Sequence, residues 1–261
     1  MDNQNLRNET FADDLLRLAL DVGEGMLKNG GEISRVEDTI ERICRAYGAE
    51  HVEVFTIISV INASVRMKDD SYSSQMRRVK NTGMNLTVLE ELNALSREVC
   101  HDTPSLEIFD EKVHELKNHK GYPRIVSMLA WALAAASFAV FFGGGIWECL
   151  WAALAGVAMF CIDTYSPKRM NAIAKNVMSA FLTSLIAGVS MVLHVGGDGS
   201  AIIMGSLMLL VPGVSIGTAM RDIFCGDLLA GTLRLLQSCL SALMLAFGYI
   251  LAATLLGGGA I

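Results

Sequence analysis

The residues most able to do chemistry lie late in the chain. In Leu209-Leu210-Val211-Pro212-Gly213, a proline and a glycine interrupt an otherwise apolar run. Pro212 has no N–H to donate to the Met208 carbonyl, so a helix through this point loses a hydrogen bond. Within Ser200–Met220 the break falls about 3 Å from mid-span at the helical rise of ~1.5 Å per residue. Broken helices near the bilayer midplane are the usual pointer to a transporter site, because freed backbone groups can meet substrate. A proline kink satisfied by a neighbouring hydroxyl is the plainer alternative. Ser215 and Thr218 are the candidate polar contacts. Gly213 and Gly217 also form a GxxxG pair suited to close helix packing. Next comes Arg221-Asp222-Ile223-Phe224-Cys225-Gly226-Asp227. Its carboxylates Asp222 and Asp227, with Arg221 and Arg234 in reach, are candidates for proton or cation coupling, or for loop salt bridges. Asp163, at the end of an earlier apolar run, and Glu148, at its start, are weaker candidates and read as interfacial.

Other chemistries find little support. There is no nucleophile elbow, phosphate loop, HExxH or GxGxxG, so no enzyme and no cofactor are expected. The six cysteines include no CxxC pair, and the histidines lack metal-ligand spacing, so no metal site is expected. A net charge of −6 provides no basic footprint, which argues against a nucleic-acid partner.

The elements that must position these residues follow from an uneven charge distribution. Residues 1–124 carry 38 of the 48 charged side chains, and residues 125–261 only five cations and five anions. The expected architecture is an α-helical membrane protein of about five transmembrane helices behind a small N-terminal α+β cytoplasmic domain. The domain covers 1–120. The membrane part covers 125–261, with spans near 125–143, 146–162, 176–195, 200–220 and 228–256, each near the ~20 apolar residues that cross a bilayer. No signal peptide is expected, since the first residues are polar and acidic.

In the soluble part, residues 6–29 read as a helix ended by Gly30-Gly31. Ser34 and Glu37 predict a capping box opening a second helix. His51–Thr56 reads as a strand. The alternation of Ile61, Ala63, Val65 and Met67 with Asn62, Ser64, Arg66 and Lys68 predicts another, and Tyr72–Val79 is expected to pair back. Two helices follow, the second predicted to open at Thr103-Pro104.

Every Lys and Arg after residue 124 falls on the soluble domain's side of these spans: Lys168, Arg169, Lys175, Arg221 and Arg234. The opposite side holds the Gly196–Gly199 loop with Asp198, and the C-terminus. The positive-inside rule then predicts a multi-pass protein of the cytoplasmic membrane, N-terminus cytoplasmic and C-terminus outside.

Two motifs carry a resemblance. Gly30-Gly31-Glu32-Ile33-Ser34-Arg35-Val36-Glu37, and Leu210-Val211-Pro212-Gly213 followed by Arg221-Asp222 and Gly226-Asp227, resemble the threonine/serine exporter family over nearly the whole chain. The resemblance marks Gly31, Glu32 and Arg35 as the motif of the soluble domain; helix capping and a surface ion pair would serve them equally. Fused members carry a second membrane half, which after five spans would run inverted. This chain resembles the larger subunit of a split exporter. That implies a second small membrane subunit, or a homo-oligomer, within the lipid bilayer. It also implies export of a small polar metabolite: threonine and serine, or a dicarboxylate such as succinate. The alternative is a membrane-anchored sensor or assembly module without transport of its own.

Overall fold

The computed structural model describes residues 3–80, 82–117, 121–167, 170–195 and 199–256. Lys168, Arg169, His119, Asp198 with most of its loop, and the C-terminal residues lie outside them. Two compact units are formed, Met1–Lys120 with Val214–Leu235, and Gly121–Gly213 with Leu236–Ile261.

The first unit begins with α1 (Asn3–Lys28) and α2 (Ile33–Ala46). A three-stranded antiparallel sheet follows in the order β1 (Ala49–Ile57), β2 (Val60–Met67) and β3 (Tyr72–Arg78). Helices α3 (Leu86–Asp102) and α4 (Leu106–Lys117) complete the N-terminal part. The period-two alternation orients β2 as expected, with Ile61, Ala63, Val65 and Met67 buried and Asn62 and Arg66 exposed. Leu15, Leu18, Val22 and Met26 of α1 join Ile33, Val36, Ile40 and Ile43 of α2, and Leu92, Leu95 and Phe109 of the later helices, in one core. Ala230, from far along the chain, belongs to that core too.

Two local expectations fail. The capping box does not form. Glu32 is the N-cap of α2 and makes no side-chain cap bond, while Glu37 Oε1 accepts from the Thr56 N–H at 2.7 Å. Strand β1 supplies a donor that outcompetes the helix end. Nor does a helix open at Thr103-Pro104. Helix α3 runs to Asp102 and closes on Thr103 in the left-handed region at φ 40°, its N–H bonded to the Val99 carbonyl. Pro104 is left in the connection, where its carbonyl accepts from the Tyr47 hydroxyl at 2.7 Å.

The second unit contains α5 (Arg124–Phe141), α6 (Ile146–Tyr165), α7 (Ala172–Val192) and α8 (Gly199–Leu207). It also takes most of α10 (Leu228–Leu255). Helix α6 packs on α5, α7 and α8. Small residues permit the close approach expected of helices in lipid. A Cβ at Gly156 would stand 2.6 Å from the Trp131 carbonyl oxygen, and one at Gly248 2.5 Å from that of Val177. Asn176 Nδ2 donates to Ser241 Oγ at 2.6 Å, joining α7 to α10. Leu129, Leu133, Phe141, Leu236 and Leu243 are exposed, as suits lipid-facing positions.

Among the described residues four helices are long and apolar enough to cross a membrane: Arg124–Phe141, Ile146–Tyr165, Ile173–Val192 and Leu228–Leu255. The segment 200–220, expected as one span, is two short helices, α8 and α9 (Gly213–Phe224). Regular helix stops at Leu207. The next bonds tighten to Leu209 N–H on Ser206 and Leu210 N–H on Leu207, three residues back. Pro212, which also biases Val211 away from helical geometry, makes the break complete. Most of α9, from Val214, belongs to the first unit.

Candidate functional site

The α1–α2 turn, the end of α9 and the start of α10 meet in one charged cluster inside the first unit. Gly30 takes φ +94°, and the Gly31 N–H donates to the Met26 carbonyl at 2.8 Å. A Cβ at Gly31 would lie 2.9 Å from that same oxygen, so the turn needs glycine here. Gly31→Ala is expected to destabilise the protein by about 1–3 kcal/mol, the usual cost of forcing backbone apart, read as a lower thermal midpoint.

This turn delivers the N-terminus of α2 to Asp222. The first N–H groups of a helix have no partner within it. Here the Ile33 N–H donates to Asp222 Oδ1 at 3.3 Å, across 189 residues of sequence. A carboxylate at this end is also favoured by the helix dipole. Asp222 Oδ2 stands 3.1 Å from Arg234 Nη1, and Arg234 Nη2 donates to the Gly31 carbonyl at 3.1 Å. One guanidinium thus binds both the carboxylate and the turn the carboxylate caps. Asp222 is 1% exposed. Burial raises its pKa, with Arg234 and the Ile33 N–H opposing the shift.

An outer layer surrounds this pair. Glu32 Oε1 lies 2.5 Å from Arg221 Nη1, and its Oε2 lies 3.3 Å from Arg35 Nε. The Asp227 N–H donates to the Asp222 carbonyl at 2.9 Å, in the turn that Gly226 makes at φ +103°. Asp227 acts on Glu37, whose pKa is raised chiefly by burial and further by that neighbouring charge. At neutral pH the ionised Glu37 therefore opposes folding, and its contribution improves as pH falls through the raised pKa. Glu37→Gln keeps an acceptor for the Thr56 N–H and removes the charge. The variant is expected to match or exceed the parent's stability at pH 7, with the gap closing in acid, measured as thermal midpoint against pH.

The structure therefore gathers Gly31, Glu32, Arg35, Arg221, Asp222 and Asp227. It does not bring the other candidates to them. Asp163 Oδ1 is held at 3.1 Å by Lys175 Nζ, in the second unit. Pro212 and Gly213 mark the helix break, with the Gly213 N–H on the Val211 carbonyl at 2.8 Å. Thr218 spends its hydroxyl on the Ser215 carbonyl of its own helix at 3.0 Å. Among the described residues a Cβ at Gly213 or Gly217 meets nothing within 4 Å. Two residues gain importance over their sequence reading. Arg234 is the only charge in the 28 residues of α10, a signal that was legible. Glu148, expected at an interface, is 6% exposed in the first turn of α6, where a carboxylate suits the helix dipole.

Comparison with known proteins adds to this geometry. A family model described as "Putative threonine/serine exporter" matches residues 17–256. A Klebsiella aerogenes protein named a probable succinate transporter subunit, YjjP, is 26% identical over 244 residues, covering 92% of this chain and 93% of its own. The Escherichia coli protein of the same name is 25% identical over 92% of this chain and 94% of its own. A Mycobacterium tuberculosis protein named a probable threonine/serine exporter is 25% identical over 85% of this chain but 42% of its own length. No solved structure matches the chain.

Proposed function

This chain belongs to the threonine/serine exporter family, and from that premise we propose that it is the larger subunit of a two-protein exporter of the cytoplasmic membrane. The cargo is a small polar metabolite, threonine and serine or a dicarboxylate such as succinate, moved by secondary transport. The observation that carries this is one of length. Relatives named as transporter subunits align over 93–94% of themselves, while the relative named as an exporter aligns over 42%. The remainder of a transport path then comes from a second small membrane subunit, or from another copy of this chain.

In this reading the break at Met208–Pro212 is the substrate-facing element. Unwound backbone there leaves groups that a helix would have paired, and α9 starts beyond it with the positive end of its dipole. Ser215, Gly217 and Thr218 line the first turns after the break. Arg221, Asp222 and Asp227 act as coupling or gating residues, because they tie the far end of α9 to Gly31, Glu32 and Arg35. Movement of α9 must then strain or release that network. Asp163, clamped by Lys175, is a second candidate for coupling. The positive-inside rule supports a cytoplasmic N-terminus and an outside C-terminus, with Lys175, Arg221 and Arg234 on the cytoplasmic side.

A second reading has its own support. The docking of the α9–α10 turn on the first unit equally suits a sensor or assembly module. Counterflow separates the two. Vesicles holding this chain, with and without the candidate partner, are loaded and assayed with labelled threonine and labelled succinate. Flux of either label only when both proteins are present is the expected result. Flux without the partner overturns the two-protein reading, and no flux with it leaves the sensor.

A further inference from the structure

Helix α7 carries one hydroxyl that the fold leaves over. Thr183 is fully buried, and among the described residues its Oγ1 has no hydrogen-bond partner. Hydroxyls inside helices commonly bond a carbonyl about one turn back. Nearby residues do so: Ser184 donates to the Ala180 carbonyl at 2.8 Å, Ser190 to that of Ala187 at 2.7 Å, and Ser206 of α8 to that of Ile202 at 2.7 Å. A buried hydroxyl without a partner is costly unless something outside the chain satisfies it.

The packing of α7 on α8, within the second unit, shows what Thr183 faces. Thr183, Ala187 and Met191 follow one another at four-residue spacing on one stripe of α7. At Met191 this stripe meets the start of α8, since a Cβ at Gly199 would stand 2.7 Å from the Met191 side chain. Ala187 shares a buried cluster with Ile202 and Ile203. Moving back along α7 thus moves forward along α8, so the two helices run antiparallel. Thr183 lies as many residues back from Met191 as Leu207 lies beyond Gly199, about 12 Å at the helical rise. The Thr183 hydroxyl therefore stands level with the end of α8, where the chain breaks.

That end is made of oxygens. The Leu209 N–H bonds the Ser206 carbonyl at 3.3 Å, so the Gly205 carbonyl loses the donor that a continuing helix would supply. Ser206 is fully buried and has given its hydroxyl hydrogen to Ile202, which leaves its oxygen as an acceptor. The dipole of α8 places its negative end here as well. Broken helices use such ends, with their unwound carbonyls, to hold cations.

We propose that Thr183 Oγ1, Ser206 Oγ and the Gly205 carbonyl form a site for a monovalent cationic group, a sodium ion or the primary ammonium of an amino acid. Its role rests on the transport reading above: it holds either a coupling ion or the amine of the cargo. A dicarboxylate brings no donor to these oxygens and is not received there.

The test is thermal unfolding of the purified full chain in detergent, in choline chloride at fixed ionic strength. The titrants are sodium chloride, threonine, and succinate as its choline salt. A saturable rise of the thermal midpoint with sodium or with threonine is expected, because a ligand of the folded chain stabilises it. Whichever binds tighter identifies the source of the charge. Thr183→Val and Ser206→Ala should each weaken that binding about tenfold, the weight of one polar contact to a charged group, and Thr183→Ser should restore it. Without ligand, Thr183→Val should unfold no lower than the parent, since it removes a buried hydroxyl that the fold does not pair. Ser184→Ala is the control: its hydroxyl is spent on Ala180, so affinity should not change. The proposal is overturned if neither sodium nor threonine gives a saturable shift, or if succinate shifts the midpoint as much. It is also overturned if Thr183→Val or Ser206→Ala binds like the parent, if Thr183→Ser fails to restore binding, or if Ser184→Ala weakens it equally. A lower midpoint for unliganded Thr183→Val marks a structural hydroxyl and overturns it too. Counterflow is read separately: a midpoint shift without flux keeps this site and removes the transport reading, and flux without the shift does the reverse.

Discussion

Asp222→Ala is expected to cost about 3–5 kcal/mol of stability, the range for removing one partner of a buried ion pair. The substitution strands Arg234, whose side chain is 11% exposed, without its carboxylate. It also removes the acceptor for the Ile33 N–H, a cap contribution of about 1 kcal/mol that overlaps with the first. The measurement is thermal unfolding of the purified chain in detergent. A double variant distinguishes a stranded charge from lost packing. Asp222→Leu with Arg234→Met leaves no buried charge, and apolar replacements of buried pairs are often neutral. Most of the loss should therefore be recovered. If the double variant is as unstable as Asp222→Ala, the pair is not what holds α9 and α10 to the α1–α2 turn.

The second large effect concerns transport. Pro212→Ala with Gly213→Ala is expected to lower efflux by about a hundredfold while the protein still inserts and folds. Proline is about 3 kcal/mol and glycine about 1 kcal/mol less favourable than alanine inside a helix. Replacing both tilts the segment between α8 and α9 toward continuous helix by roughly that sum. If the broken form carries substrate, its population falls with it. The assay is counterflow in vesicles containing this chain and the candidate partner, with insertion checked separately. Unchanged flux would remove the break from the transport path and leave it a packing feature.

The two results bear on different parts of the chain, and these parts differ in how far they could be read in advance. The helices of membrane length were legible because bilayer thickness imposes one simple requirement, a long apolar run with few charges. Arg124–Phe141 and Ile146–Tyr165 meet it whatever surrounds them. Strand β2 was legible because alternation survives any packing partner. The capping box was misread because Glu37 had a second possible partner, the Thr56 N–H, on a strand whose position a local motif does not encode. The segment 200–220 was misread for a related reason. Its composition suits a span, yet tightened turns from Met208 and the missing N–H of Pro212 divide it.

By itself, then, the sequence determined what local covalent chemistry and solvent preference can determine: an apolar second half, a charged first half, a break at Pro212, and two motifs rich in glycine and charge. Only the tertiary structure decided that Gly31 and Glu32 meet Arg221, Asp222 and Arg234 in one charged cluster. Gly31 and Arg234 are 203 residues apart, and no periodicity relates them. They are joined because α2 begins with unpaired N–H groups, because Asp222 is a carboxylate that burial would otherwise penalise, and because Arg234 is the one charge on its helix. Each group is unfavourable alone in the interior and is met by the others, and that mutual requirement is visible only once the chain has folded.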